Sequence, residues 1–405
     1  MLRGRRQFAR GGPLSPALLV SLLLFQVRKG AALGYARMLE SFWGEANALG
    51  LELPQEEPIS AQAFSAARKK LPARLVLGLV HEAGDRFDET HGAQFAWHGR
   101  RLLGVDGQRR FVQASRELLR FGCPGEAHYP MVHVTTLFDV VSKVPYDVEV
   151  GPYGTDERRQ LLHVLHCAKK GDVLVLDAGF PSFDVLAALH LQSVDFIVRL
   201  PASSTFRAVE EFLAAGKTEG VVLIEPTADS SMRDMEPLPV RIVVVRGGDG
   251  PPWVLATSLG AADFPADAIA SAYALRWEIE EFHKLLAGAF LGQGFFHAKS
   301  AEGVLQEIYA QALFVAITRT LMAVAAAVAD VPFERLAQKA AVVAVGDHLT
   351  RLVLRQSPQR AHDHLVALLH RIAKALDRPR PPRSVPRRSF LPARKWGPAG
   401  RRSGG

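Results

Sequence analysis

The sequence predicts an α/β protein: a mixed sheet with flanking helices, a β-rich insertion, and an N-terminal helical domain. Three observations carry that expectation. Residues 14–90 read as helices broken by Gly30, Gly50 and Pro58. From about residue 100, short apolar runs alternate with helical patterns in the order strand, strand, strand, helix, strand, helix, strand, as in a sheet covered by helices. Residues 205–262 interrupt this alternation with β-rich runs before helices resume.

Taken in order, Ser15-Pro16 reads as an N-cap followed by proline at the first helical position. The apolar run Ala17–Phe25 behind a basic lead is like a signal peptide, but it is too short to span a bilayer. Gln26, Val27, Arg28 and Lys29 follow it in place of a small-residue cleavage site, so a buried helix is expected. No other segment reads as a membrane span. In "ISAQAFSAARKKLP", Ser60 is a cap and Arg68, Lys69 and Lys70 form a basic cluster, either surface or a contact to a DNA backbone.

"RRLLGVDG" reads as a strand ending at Asp106-Gly107, and "YPMVHVTTLFDVV" and "VPYDVEV" as two strands separated by a tight Ser142-Lys143 turn. "TDERRQLLHVLHCAKKGD" reads as one helix capped by Thr155, "VLVLDAGF" as a buried strand ending at Asp177, "PSFDVLAALHLQ" as a helix and "VDFIVRL" as a strand. The insertion holds further strand-like runs with Gly247–Gly250 as a hairpin turn. "YALRWEIEEFHKLL" then carries Leu275, Ile279, Phe282 and Leu286 at the spacing of one helix face, with Arg276, Glu280, His283 and Lys284 on a neighbouring face. A long apolar helix over 301–329 and weaker helices over 333–376 complete the chain.

Charge and cysteine usage bound the function. The net charge is +8, and residues 377–405 hold nine Arg or Lys and one Asp, a net +8 by themselves. That Pro/Gly/Ser-rich tail is expected to be disordered, with either a polyanion or solubility as its purpose. Cys123 and Cys167 make neither a disulfide framework nor a zinc site alone, and fit a reducing cytoplasm. The chain has no phosphate-binding G-x-x-x-x-G-K-[ST] loop, no H-E-x-x-H and no G-x-S-x-G, and "HDH" at 362–364 is isolated.

Two acids, Asp106 and Asp177, each end an apolar strand, where ligands of α/β sheets gather. Carboxylates brought side by side repel unless a cation sits between them, and Mg²⁺ takes such oxygen ligands. Glu280 is the candidate third acid, flanked on its face by Arg276 and Lys284. Taken singly, a strand-end Asp often just caps a turn and Glu280 is half of a surface pair; Asp139, Asp172 and Asp195 would serve the same reading.

"YALRWEIEEFHK" is similar to the Y-x2-R-x3-E-x6-K signature of bacterial insertion-sequence transposases of the cut-and-paste type, which have an RNase H-like catalytic core and a DDE triad. Tyr273, Arg276 and Glu280 match in identity and spacing, and "VDG" at Asp106 and "VLDAGFPS" around Asp177 resemble the two Asp motifs. The insertion between second Asp and Glu, and "QEIYAQAL" after the Glu helix, resemble the family too. The chain departs from the pattern at Ala287, which stands where the signature lysine falls, at Gln108 and at Ala178; Lys284, one turn earlier, is the candidate substitute.

The resemblance implies a DNA transposase in which Asp106, Asp177 and Glu280 are catalytic and bind two Mg²⁺ (or Mn²⁺) ions, for hydrolysis at the element ends and strand transfer to target DNA. Tyr273, Arg276 and Lys284 would contact DNA, and Trp277 would either stack on a displaced base or pack on the insertion. Partners would be the terminal inverted repeats, target DNA and a second copy of the chain, in a bacterial cytoplasm at the nucleoid. The expected organisation is a helical, DNA-binding domain over 1–92, the catalytic core over 93–204 and 263–330, the insertion over 205–262, a helical region over 331–376 and the basic tail over 377–405. The alternatives are a decayed or repurposed transposase that binds DNA without catalysis, favoured by Ala287, and a stand-alone RNase H-like nuclease.

Overall fold

The computed structural model describes residues 14–29, 33–125, 127–201, 206–246, 252–285 and 296–377. The expected Gly247–Gly250 hairpin, Ala287 and the tail from 378 onward lie outside the described residues. Four helices come first, α1 (Pro16–Lys29), α2 (Tyr35–Ala48), α3 (Ala61–Arg68) and α4 (Ala73–Phe95). Strands β1 (Leu102–Phe111), β2 (Met131–Asp139) and β3 (Pro145–Pro152) precede α5 (Glu157–Val164), a 3-10 turn at Leu165–Cys167, β4 (Val173–Leu176), α6 (Phe183–Leu191) and β5 (Asp195–Leu200). Then come α7 (Arg207–Ala214), β6 (Glu219–Ile224), β7 (Leu238–Val245), β8 (Trp253–Thr257), α8 (Ala266–Ala274), α9 (Trp277–Leu285), α10 (Ala301–Ala329), α11 (Gln338–Val353) and α12 (Pro358–Lys374). The chain divides into two compact units, one of residues 1–76, 109–132 and 286–405 and one of residues 77–108 and 133–285.

In the first unit, α1 is a core helix. Ser15 Oγ accepts from the Leu18 amide at 3.2 Å, and Leu19, Leu22 and Phe25 are fully buried. α10 corrects one expectation: by length and apolarity it would reach across a membrane, yet 61% of its apolar window is buried inside the protein. Its buried polar groups are partnered. Arg68 donates to Glu307 Oε1, Gln306 Oε1 and the Gly303 carbonyl, each at 2.9 Å, and to the Tyr35 hydroxyl at 2.6 Å. Arg68 therefore does not join Lys69 and Lys70 on the surface. Its planar fork finds four oxygens, the condition under which a charge tolerates burial.

The second unit carries the sheet, in the order β3-β2-β1-β4-β5-β8-β7-β6. β1, β4 and β5 are parallel, and β8, β7 and β6 continue antiparallel from β5. The β-rich segment thus extends the main sheet, because β5 offers an open edge that β8 takes up over Ile197–Leu200. β4, "VLVL", is buried at every residue, as a central parallel strand must be when both faces are covered. The tight turn between β2 and β3 forms as expected: the Asp139 amide donates to the Val144 carbonyl at 3.0 Å and Lys143 adopts φ 63°.

Two local expectations are corrected. β1 runs on past Asp106 to Phe111, since β2, its neighbour on the other side, is nine residues long and β4 only four. The single helix expected over 273–286 is two, α8 and α9, joined through i to i−3 hydrogen bonds from Leu275 to Ala272 (3.2 Å) and from Arg276 to Tyr273 (3.0 Å). That tightened turn rotates α9 so that Ile279 packs on β1.

Gly104 makes this contact close. A Cβ there would stand 2.7 Å from Ile279 Cδ1 and 2.8 Å from Val140 Cγ1. Gly104→Val is expected to destabilise the protein by about 1–3 kcal/mol through overpacking. Urea denaturation checks this, and an unchanged midpoint with unchanged slope would contradict the packing of α9 on β1.

Candidate active site

The two aspartates lie near the end of the β1–β4 ladder. The β1–β4 ladder pairs Leu102 with Val173, Leu103 with Leu174 and Gly104 with Val175, partners 71 positions apart, as are Asp106 and Asp177. β4 ends at Leu176, one residue before Asp177, and the Asp177 charge acts on Asp106, so the two carboxylates lie near one another at the end of this ladder. Residues two apart along a strand face the same way, so Asp106 points to the face on which Gly104 meets Ile279. Glu280 follows Ile279 in α9. Asp106 comes from β1, Asp177 from the residue that follows β4, and Glu280 from α9.

Hydrogen bonds fix the carboxylates. Asp106 Oδ1 accepts from the Gly107 amide at 2.9 Å, and Asp177 Oδ1 from the Gly179 amide at 2.8 Å, while Arg158 Nε donates to the Gly179 carbonyl at 3.1 Å. Arg276 Nη2 donates to Glu280 Oε1 at 3.2 Å. Lys143 forms an ion pair with Glu278 at 2.6 Å, a second tie between α9 and the β2–β3 turn. Burial and then the Asp177 charge push the Asp106 pKa up to about 6; the Gly107 amide and Arg276 work in the opposite direction. Arg276 feels both Asp177 and Glu280, so its guanidinium sits amid the acids as their counter-charge.

The other sequence-named residues divide. Tyr273 is only 4% exposed; its ring meets Trp253 edge-on at 5.3 Å and its hydroxyl is hydrogen-bonded with Arg276. Trp277 is 48% exposed. Lys284 lies on α9, and its side chain and that of His283 are outside the described residues. The rival strand-end acids are engaged elsewhere. Asp139 accepts from the Val141 and Ser142 amides at 2.9 and 2.6 Å, Asp172 pairs with Arg101, and Asp195 pairs with Arg100 at 2.7 Å.

Glu157 is a residue that sequence reasoning passed over. Asp156, not Thr155, caps α5, accepting from the Arg158 amide at 2.9 Å, and this puts Glu157 in the first helical turn. Its charge raises the Asp106 pKa, and its Oε1 lies 3.2 Å from His133 Nε2. Nothing in its spacing marked it; it reads as an ordinary acidic residue at a helix start.

An all-carboxylate set with a raised pKa fits a hard divalent cation, which would relieve the repulsion that now favours a proton on Asp106. In its absence Asp106 costs stability at neutral pH. Below about pH 4 both folded and unfolded chains hold the proton; between about 4 and 6 the unfolded chain ionises first and stability falls; above 6 the penalty is constant. Asp106→Asn is therefore expected to stabilise the metal-free protein at pH 7 by about 1–3 kcal/mol, with no gain near pH 3.5. Denaturation of both proteins at the two pH values checks this; an equal effect at both would contradict it.

No curated protein matches the chain. Among solved structures it is similar to a piggyBac transposase synaptic complex with hairpin DNA, at 10% identity and a TM-score of 0.45, covering 95% of this chain and 81% of that one. A family model described as the transposase DDE domain matches residues 97–317, more than half of the chain. The chain belongs to the DDE transposase family and is a DNA-binding enzyme of DNA cleavage and strand transfer.

Proposed function

We propose that Asp106, Asp177 and Glu280 are the catalytic triad and hold two Mg²⁺ or Mn²⁺ ions. The observation that supports this reading is the action of the Asp177 charge on Asp106 at the end of the β1–β4 ladder, where Ile279, the neighbour of Glu280, packs on Gly104. When bound, such ions supply activation of a hydroxyl nucleophile and stabilisation of the leaving oxygen, so one site serves both hydrolysis at an element end and joining of that end to target DNA. The chain's own contribution is placement. Gly107 and Gly179 orient the two aspartates through their amides, and Arg276 holds Glu280. As the guanidinium among the acids, Arg276 contacts the DNA phosphate next to the cut, and buried Tyr273 acts by fixing that guanidinium. Lys284 reaches the phosphate that a lysine at position 287 would otherwise hold, since a flexible point charge tolerates displacement by a turn. Exposed Trp277 stacks on a displaced base.

The protein works on the terminal inverted repeats of an insertion sequence as a homodimer on DNA, in a bacterial cytoplasm at the nucleoid, with the first 92 residues and the basic tail contributing DNA contacts. Glu280→Gln removes charge but little volume. It is expected to lower Mg²⁺-dependent cleavage of end-containing DNA by about 100-fold or more while sparing DNA binding. Lys284→Ala is expected to lower cleavage substantially. Wild-type cleavage no greater than that of Glu280→Gln supports a DNA-binding remnant, the reading that Ala287 favours; full activity in Lys284→Ala refutes the substitute lysine alone.

A further inference from the structure

A second cluster of titratable side chains lies away from the carboxylates, at the sheet edge formed by β3. His81 comes from α4, Asp147 from β3, and His166 and Cys167 from the 3-10 turn after α5. One potential ligand atom from each lies within 4.8 Å of all the others. Asp147 Oδ1 accepts from His81 Nε2 at 2.9 Å and from the Val148 amide at 2.9 Å. Cys167 Sγ stands 3.3 Å from His166 Nε2, and Asp147 Oδ2 is 3.8 Å from His166.

We propose that His81, Asp147, His166 and Cys167 form a structural site for one Zn²⁺ ion, chemically distinct from the carboxylate site. Two imidazoles, one thiolate and one carboxylate are a tetrahedral zinc donor set, whereas Mg²⁺ and Mn²⁺ prefer oxygens alone. With Zn–N and Zn–O bonds near 2.0 Å and Zn–S near 2.3 Å, tetrahedral ligand atoms stand roughly 3.3–3.8 Å apart. The cluster needs to contract by about 1 Å at its widest.

Its parts are already oriented for this. His166 Nδ1 is 2.8 Å from the His163 carbonyl, which only accepts, so Nδ1 carries the hydrogen and the Nε2 lone pair is left facing Cys167. That second-sphere hydrogen bond is what fixes the tautomer of zinc-bound histidines. Asp147 is 5% exposed and anchored by its own strand, while His166 is 62% exposed, so an ion has a path of entry. Arg101 Nη2 donates to the Cys167 carbonyl at 3.3 Å and holds the turn against the body of the unit. Without metal, the hydrogen bonds to Asp147 and Cys167 push the His81 pKa up to about 10. Binding must therefore release a proton from the His81 imidazolium, leaving a neutral imidazole as ligand.

The test is Co²⁺ titration of the full-length protein after dialysis against a chelator. One equivalent is expected to give the thiolate-to-cobalt charge-transfer band and the intense d–d bands of four-coordinate cobalt, both bleached by Zn²⁺. Cys167→Ser is expected to lose the charge-transfer band and Cys123→Ser to keep it. His81→Ala should weaken binding at least tenfold, and Asp106→Asn should leave the spectrum unchanged, separating this site from the carboxylates. If His81→Ala does not fold, the two serine variants decide. Zn²⁺ should also raise the thermal midpoint of the wild type and not that of Cys167→Ser. No charge-transfer band at one equivalent, or a band that survives Cys167→Ser, overturns the proposal and leaves a hydrogen-bonded cluster only.

Discussion

The parallel ladder that joins β1 to β4 imposes a constraint that reaches beyond its last pair. Gly104 lies opposite Val175, and a strand's side chains alternate with a period of two. Asp106 follows on the face of Gly104, and Asp177, the residue after β4, is brought close enough for its charge to act on Asp106. A slip of one residue would send one aspartate to the opposite face. The fully buried "VLVL" of β4 resists such a slip, because its residues would then have to repack on both faces.

The ladder also sets up an electrostatic cost. Burial first, and then the neighbouring Asp177 charge, make Asp106 bind its proton more tightly, with a pKa of about 6. Packing sustains this arrangement. Ile279 of α9 sits on Gly104, Lys143 reaches Glu278, and Arg276 supplies positive charge among the acids. Ile279, which packs on Gly104, immediately precedes Glu280 in α9, so the packing of the helix on β1 and the position of that acid are coupled through one residue step. A local excess of negative charge maintained by a rigid scaffold is what a cation-dependent phosphodiester site needs before its ions arrive.

Much of this was legible in the chain because it is local. The strand patterns, the Ser142-Lys143 turn, the caps at Ser15 and Ser60, and the placement of Asp106 and Asp177 near the ends of apolar runs all follow from short-range preferences. What escaped is set by contacts distant in sequence. Arg68 looks like part of a surface cluster until Glu307 and Gln306 come to it across more than 230 residues. The break between α8 and α9 is invisible in the periodicity, which continues through Leu275 and Ile279; it arises where α9 turns onto Gly104. The β-rich segment reads as an insertion, but whether it pairs with itself or with β5 depends on an open edge that no local pattern reveals. Glu157 and the His81–Asp147–His166–Cys167 cluster are likewise assembled only by the fold.

The central claim is that the β1–β4 register and the seat of α9 bring three acids to shared cations. The most direct measurement is an anomalous difference map from crystals of the protein bound to end DNA and grown with Mn²⁺. The account predicts manganese within about 2.0–2.4 Å of carboxylate oxygens from Asp106, Asp177 and Glu280, with the two ions ~3.5–4 Å apart if both bind. Manganese bound without Glu280, or aspartate carboxylates too far apart to share an ion, would contradict it.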